Sequence, residues 1–255
     1  MTAATVADLL AREFREEYDD RTTLVDATER EYDYHWLCTS SWKAGNFLRH
    51  SGVREGITVG VVGDGPLALL AFFGTTLLEG TTYFEPPTDL ADEDDFRALV
   101  APTRDLESDT YDLPPGAQRV GYGAKPEEPG VHNFDAGIWS ENPAFPPLSI
   151  ESETAILTDG DRTVTHAEAL ETARDVIDEH GIEPGERVVV RAPLSSLEAA
   201  IAGVIAPLVA EGVIVLTEAA TETTVDRGDY AVAGGGPDAS VPESKRIAIE
   251  NVSLE

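Results

Sequence analysis

What this chain has little of is sulfur and positive charge. Its 255 residues hold one cysteine and one methionine, and 48 acidic residues stand against 18 lysines and arginines, for a formal net charge of −30. The single Cys38 excludes an internal disulfide and fits a reducing, cytoplasmic compartment. Within an apolar helical pattern it reads as a small core residue and not as a catalytic thiol. Only Lys43, Lys125 and Lys245 are lysines. With cations this sparse there is no basic stripe, which excludes binding to a nucleic-acid backbone and argues against an anionic membrane surface. Long apolar runs are scarce too. The longest, Leu197 to Leu216, is broken by Glu198, Pro207, Glu211 and Gly212, and reads as a buried helix followed by a buried strand, not a membrane span. Asp8, Arg12 and Glu13 interrupt the opening residues, so no secretory signal is expected there.

Several chemistries fail on spacing. The histidines His35, His50, His132, His166 and His180 show no paired metal-ligand spacing. Ser195 and Ser196 lack the G-x-S-x-G elbow of a hydrolase nucleophile, and Ser195 with Glu198 reads as a helix capping box. The acidic runs Glu16–Asp20 and Asp92–Asp95 lack the central glycine of a calcium loop and read as solvated faces. Gly60, Gly63 and Gly65 follow a strand and precede a helix, but their G-x-x-G-x-G spacing is not that of a dinucleotide loop. They read as a strand-to-helix turn, with Glu85 as the only acidic candidate for a ribose.

What is present is a patterned globular sequence. The hydrophobic fraction is 42% and falls in periodic blocks, so the large charge does not mean disorder. Abundant carboxylates with few lysines look like the surface of a protein from a saline cytoplasm, where molar salt screens charge over only about 3 Å.

The chain repeats itself at an interval of about 130 residues. One copy runs from Tyr34 to Pro86 and the other from Thr163 to Glu218. Each opens with a short extended piece and enters an amphipathic helix, Leu37-Ser41-Ala44-Leu48 sharing a face in the first and Leu170-Ala173-Ile177 in the second. Gly52 and Gly181 stand where a helix C-cap needs a left-handed residue. Strands then follow at Ile57–Val62 and Arg187–Ala192, helices at Pro66–Glu79 and Ser195–Glu211, and strands at Thr82–Glu85 and Val213–Thr217. Such strand–helix–strand units are right-handed and parallel. The expected fold is therefore α/β: two pseudo-repeated lobes with mostly parallel sheets flanked by helices, at 1–106 and 151–255. Between them, 107–150 is expected to be irregular Pro/Gly-rich chain, covering the surface or a groove. Asp229–Ala233 and Arg246–Val252 read as short C-terminal strands.

Tyr34-His35-Trp36-Leu37, Ala44, Leu48, Gly52-Val53-Arg54-Glu55-Gly56 and Val59, continued by Phe72–Gly80 and Thr82–Pro86, resemble the opening subdomain of AMP-binding, adenylate-forming enzymes, the acyl-CoA synthetases and their relatives. Pro184-Gly185-Glu186-Arg187-Val188 and Pro207–Leu216 resemble the next subdomain. The resemblance covers most of Tyr34 to Leu216 and implies the fold of the N-terminal subdomains of acyl-CoA synthetases. In that family a strand of the type A-I-L-x-T-S-G-T-T-G-x-P-K-G-V-x-x-T-H carries the phosphate loop. Here Ala155-Ile156-Leu157-Thr158 and Val164-Thr165-His166 flank only Asp159-Gly160-Asp161-Arg162-Thr163. The hydroxyl- and glycine-rich nest and its lysine are replaced by two aspartates, which repel phosphate. The family's adenine and ribose motifs are not filled by Leu216-Thr217-Glu218 or Arg227-Gly228-Asp229, and the C-terminal domain with its catalytic lysine has no counterpart in these residues.

The resemblance therefore implies a non-catalytic relative acting through binding, of a nucleotide or acyl thioester between the lobes or of a protein partner. For ATP, AMP or CoA, the surviving ligand positions would be Thr158, Gly160 and Thr165, with Arg162 supplying charge for the lost lysine. Two alternatives stand beside it: a reduced acyl-CoA ligase completed by a separate chain, and a scaffold without ligand.

Overall fold

The computed structural model describes residues 3–146, 149–217, 225–236 and 240–254. A 3-10 turn (Val6–Leu10) and α1 (Arg12–Tyr18) precede a hairpin of β1 (Thr22–Val25) and β2 (Glu31–Asp33). The hairpin leads into α2 (Tyr34–His50), capped by Asp33, whose carboxylate accepts from the Trp36 amide at 2.7 Å. Then β3 (Thr58–Val61), α3 (Pro66–Thr76) and β4 (Thr81–Phe84) form a parallel strand–helix–strand unit. Gly52, at φ +86°, takes the left-handed turn after α2 that the sequence requires.

The segment 107–150, expected to be irregular Pro/Gly-rich chain, carries two short strands and a helix among its turns. Strand β5 (Phe96–Pro102), α4 (Thr103–Leu106), β6 (Gln118–Tyr122), β7 (Val131–Asn133) and α5 (Phe134–Ser140) extend the first sheet outward from β3. Pro114-Pro115-Gly116, Pro126 and Pro129 sit in the turns between these strands, where a missing amide donor costs nothing.

The plan then recurs. A second hairpin, β8 (Ala155–Thr158) and β9 (Thr163–Thr165), leads into α6 (His166–His180), which ends on Gly181 in the left-handed region. Strand β10 (Arg187–Val190) follows, and β11 (Val213–Leu216) lies parallel beside it. Between them the helix is α7 (Leu197–Ala200), a π-helical turn (Ile201–Ile205) and α8 (Ala206–Val209). Pro207 has no amide for the helical ladder, and the wider π turn, closed by the Ala206 amide on the Ile201 carbonyl, absorbs that defect. The cap of this helix is Ser196 and not Ser195: its hydroxyl accepts from the Ala199 amide and donates to Glu198. Strands β12 (Tyr230–Ala233) and β13 (Lys245–Ala248) complete the second sheet in the region where the sequence shows two short strands. Glu218 lies outside the described residues.

The first sheet has the order β7-β6-β5-β3-β4-β8-β9 and the second β13-β12-β10-β11-β1-β2. Each repeat thus lends its hairpin to the other's sheet: β1 pairs parallel with β11, and β8 with β4. Residues 1–106 accordingly contribute strands to both sheets, as do residues 151–255. One apolar cluster runs through both, joining Val59 and Val61 of β3, Phe73 of α3, Ala173 of α6 and Val188 of β10. Helices α2 and α3 cross closely at Gly45 and Gly74. A Cβ on Gly74 would lie 2.8 Å from the Gly45 nitrogen.

Candidate functional site

The hairpin turn from Thr158 to Thr163 is where the sequence places a ligand. Its short Asp-Gly-Asp-Arg loop folds back tightly because Gly160 adopts φ +94°, which L side chains resist. The Thr158 hydroxyl donates to the Arg162 carbonyl at 2.8 Å and accepts from the Gly160 amide at 3.1 Å. The Asp159 carboxylate accepts from the Asp161 amide at 3.1 Å and the Arg162 amide at 2.7 Å. Three consecutive amides of the loop are therefore satisfied by side-chain oxygens from the loop itself. Arg162 is equally committed. Its guanidinium meets Asp159 at 2.9 Å and Glu198 at 2.9 Å, bridging the hairpin to α7.

The electrostatics follow from this geometry. Burial works to raise the Asp159 pKa, but the Arg162 amide and guanidinium and the Asp161 amide outweigh it and hold the carboxyl below its usual range. The hydrogen bonds it donates to Glu198 and Asp159 raise the pKa of the Arg162 guanidinium further still. Thr165 stands apart from this group, at the N-cap of α6. Its hydroxyl accepts from the Glu168 amide at 3.3 Å and donates to the Glu168 carboxylate at 2.9 Å. The structure thus brings Thr158, Gly160 and Arg162 together and gives Thr165 a capping role.

The same device recurs in the first hairpin. Asp26 Oδ1 accepts from the amides of Thr28 (2.8 Å) and Arg30 (3.1 Å), and Tyr32 donates to Oδ2 at 2.9 Å. At the strand-to-helix turn after β3, the Gly63 amide donates to Glu85 at 2.6 Å, so the carboxylate weighed as a ribose partner instead binds its own fold. Gly63 is also covered by Tyr122: a Cβ there would fall 2.1 Å from the phenol oxygen.

Sequence reasoning missed a buried charged cluster formed by Arg191 just after β10, Arg227 ahead of β12 and Glu243 ahead of β13. Glu243, whose side chain is fully buried, accepts from Arg191 Nε at 2.8 Å and pairs with Arg191 Nη2, and it accepts from the Arg227 amide at 3.2 Å. Arg227 in turn donates to the Ala27 carbonyl at 2.9 Å, tying this corner to the first hairpin. The sequence separation of 52 between Arg191 and Glu243 leaves no local pattern to read. Among the described residues, no group of histidine, cysteine and carboxylate side chains could hold a metal, and no helix is long and apolar enough to cross a membrane.

His166, which follows the loop, is fully buried. Its Nδ1 accepts from the Val6 amide at 3.0 Å, and its Nε2 has no partner. Desolvation drives its pKa down to about 4, against a weaker upward pull from Asp8. The unfolded chain binds a proton here below about pH 6.5 and the folded chain only near pH 4, so stability present above that window is lost as pH falls through it, by about 3 kcal/mol. Urea unfolding across this range should show the slope in the wild type and lose it in His166→Gln. Parallel pH profiles for the two proteins would show that the imidazole is not the group responsible.

No family model matches the chain, and no curated protein matches it in sequence. Solved structures do. The chain is similar to an anthranilate CoA ligase, AuaEII, solved with anthranoyl-AMP, with a TM-score of 0.75 and 18% identity over 90% of this chain and 49% of that one. It is also similar to the N-terminal domain of FACL13 from Mycobacterium tuberculosis (TM-score 0.71, 13% identity, 92% and 63% covered) and to MatB from Rhodopseudomonas palustris (0.69, 13%, 91% and 49%). The likeness is one of fold. The chain has the α/β architecture of the N-terminal domain of acyl-CoA ligases, and it spans about half the length of AuaEII and MatB.

Proposed function

We propose that this chain is a non-catalytic module built on the acyl-CoA ligase fold, which acts by binding and does not turn over ATP. The observation that carries this reading is the Asp159 carboxylate. It sits on the Asp161 and Arg162 amides and neutralises the guanidinium that would otherwise face a phosphate. A polyphosphate would have to displace an anion that is covalently part of the loop and paired with Arg162, which is itself held by Glu198. Glu85 on the Gly63 amide closes the other glycine turn in the same way. With Thr158, Gly160, Arg162 and Thr165 all engaged within the fold, the module's ligand is better sought among protein surfaces than among nucleotides.

Calorimetric titration in molar KCl with ATP, AMP, CoA and acetyl-CoA tests this. No saturable heat is expected from ATP or AMP. Saturable ATP binding that disappears in Arg162→Ala would overturn the reading and restore the hairpin as a ligand site.

A further inference from the structure

Segment 3–10 joins the two repeats without belonging to either sheet. Its 3-10 turn packs against α2, α3 and α6, and Val6, Leu9 and Leu10 are buried. Four side chains hold its main chain. From α2, the Tyr34 hydroxyl donates to the Leu9 carbonyl at 2.6 Å and the Trp42 indole to the Leu10 carbonyl at 2.9 Å. From α6, Arg174 donates to the Ala3 carbonyl at 2.8 Å, and His166 Nδ1 accepts from the Val6 amide at 3.0 Å. Ala11 is extended (φ −68°, ψ 158°) and separates the turn from α1 without a side-chain cap, so the segment can leave while α1 stays in place.

Three of these tethers are insensitive to acid, because a phenol, an indole and a guanidinium keep their protons from about pH 4 to 7. His166 is the exception. Since Nδ1 accepts, the neutral ring carries its hydrogen on Nε2, which is buried without a partner. An added proton has only Nδ1 to occupy, and there it turns the acceptor into a donor aimed at the Val6 N–H. Charged neighbours do not offset this. Asp8, in the segment itself, pulls the pKa up less than burial pushes it down, and its carboxylate is spent on the Ala4 and Thr5 amides. Within α6, Glu168 is spent on Thr165 and Arg174 on Ala3. Strand β9 and the helix from Ile201 to Val209, which pack on α6, bring no ionisable side chain.

We infer that His166 is a proton-operated latch, whose protonation releases segment 3–10 as a unit while both sheets stay folded and so uncovers the seam between α2, α3 and α6. The released imidazole titrates near pH 6.5 and the held one near pH 4. Opening therefore becomes about tenfold more favourable for each pH unit of acidification across that window, about 300-fold in all, and the latch is fully held above it. No atom of the 158–163 loop takes part, so the latch is independent of the binding reading and of the nucleotide titrations.

Hydrogen exchange of the full chain, followed by mass spectrometry across the same window and corrected for intrinsic rates, tests it. The amides of Val6–Leu10 should lose protection about tenfold per pH unit. At every pH they should also be at least about tenfold less protected than the amides of β3, β10 and β11, which open only with the whole fold. His166→Gln offers an amide oxygen to the Val6 N–H and does not titrate, so protection of its segment should be flat with pH. Tyr34→Phe removes a tether that does not titrate. It should lower the segment's protection about fivefold, the worth of one hydrogen bond, and leave the slope unchanged. The wild type and Tyr34→Phe give level and slope even if His166→Gln does not fold. Equal protection in segment and sheets would make the release global and overturn the latch, while leaving the pH dependence of overall stability intact. Flat protection of the segment in the wild type, or an equal slope in His166→Gln, would overturn it as well.

Discussion

Replacing Glu243 with alanine is expected to remove about 3–5 kcal/mol of folding stability, the usual loss when one member of a buried ion pair is deleted. The side chain is fully buried and its partner Arg191 nearly so, at 13% exposure. Both Glu243 oxygens are used: Oε2 by Arg191 Nε, and Oε1 by Arg191 Nη2 and the Arg227 amide. Alanine would leave the guanidinium desolvated without its counter-charge and the Arg227 amide without this acceptor. Glu243→Gln keeps the shape and one acceptor oxygen and should cost less. Chemical denaturation measures both. A loss for Glu243→Ala below about 1 kcal/mol would mean that water reaches the cluster and takes over its hydrogen bonds.

The second large effect is expected at Gly74. A Cβ there would lie 2.8 Å from the Gly45 nitrogen, 2.9 Å from the Ala44 carbonyl carbon and 3.0 Å from the Ala44 Cβ. Two of these three neighbours are backbone, so α2 and α3 would have to separate along a crossing that anchors the shared core. Gly74→Val should cost about 3 kcal/mol, the upper end for overpacking, and lower the melting temperature by roughly 6–12 °C. Gly74→Ala is the sharper comparison. In an open helix that change stabilises by about 0.5–1 kcal/mol, so a net loss here reads the crossing directly. An unchanged or raised melting temperature for Gly74→Ala would show that the helices can part at little cost.

Periodicity made the repeated unit legible in the sequence. Helices α2, α3 and α6, strands β3, β4, β10 and β11, and the left-handed glycines Gly52 and Gly181 are all local features, set by apolar spacing and by backbone that only glycine adopts easily. Strands β6 and β7 were hidden because their flanking prolines dominate the composition of 107–150, although those prolines only punctuate the turns. Exchange of the hairpins was hidden for a different reason. Pairing partners such as Leu24 and Ile214 are chosen by tertiary packing, which no window of sequence contains. At the candidate site, the loss of the lysine and the gain of two aspartates were visible. That Asp159 would turn inward onto its own amides, and so serve as the loop's resident anion, required coordinates.

The exchanged hairpins also impose an order of events on a chain being made. Strand β1 leaves the ribosome early, yet its sheet partner begins at Val213. The 190 residues from Leu24 to Ile214 take roughly 10–40 s to synthesise at ordinary translation rates. Throughout that interval the first hairpin has an unpaired edge, and β4 waits on β8 in the same way. Neither sheet can close from its own half of the chain, so a nascent protein with this topology gains the β4–β8 edge first and the β1–β11 edge only once Val213–Leu216 is made, and depends on whatever shields an open strand in the meantime.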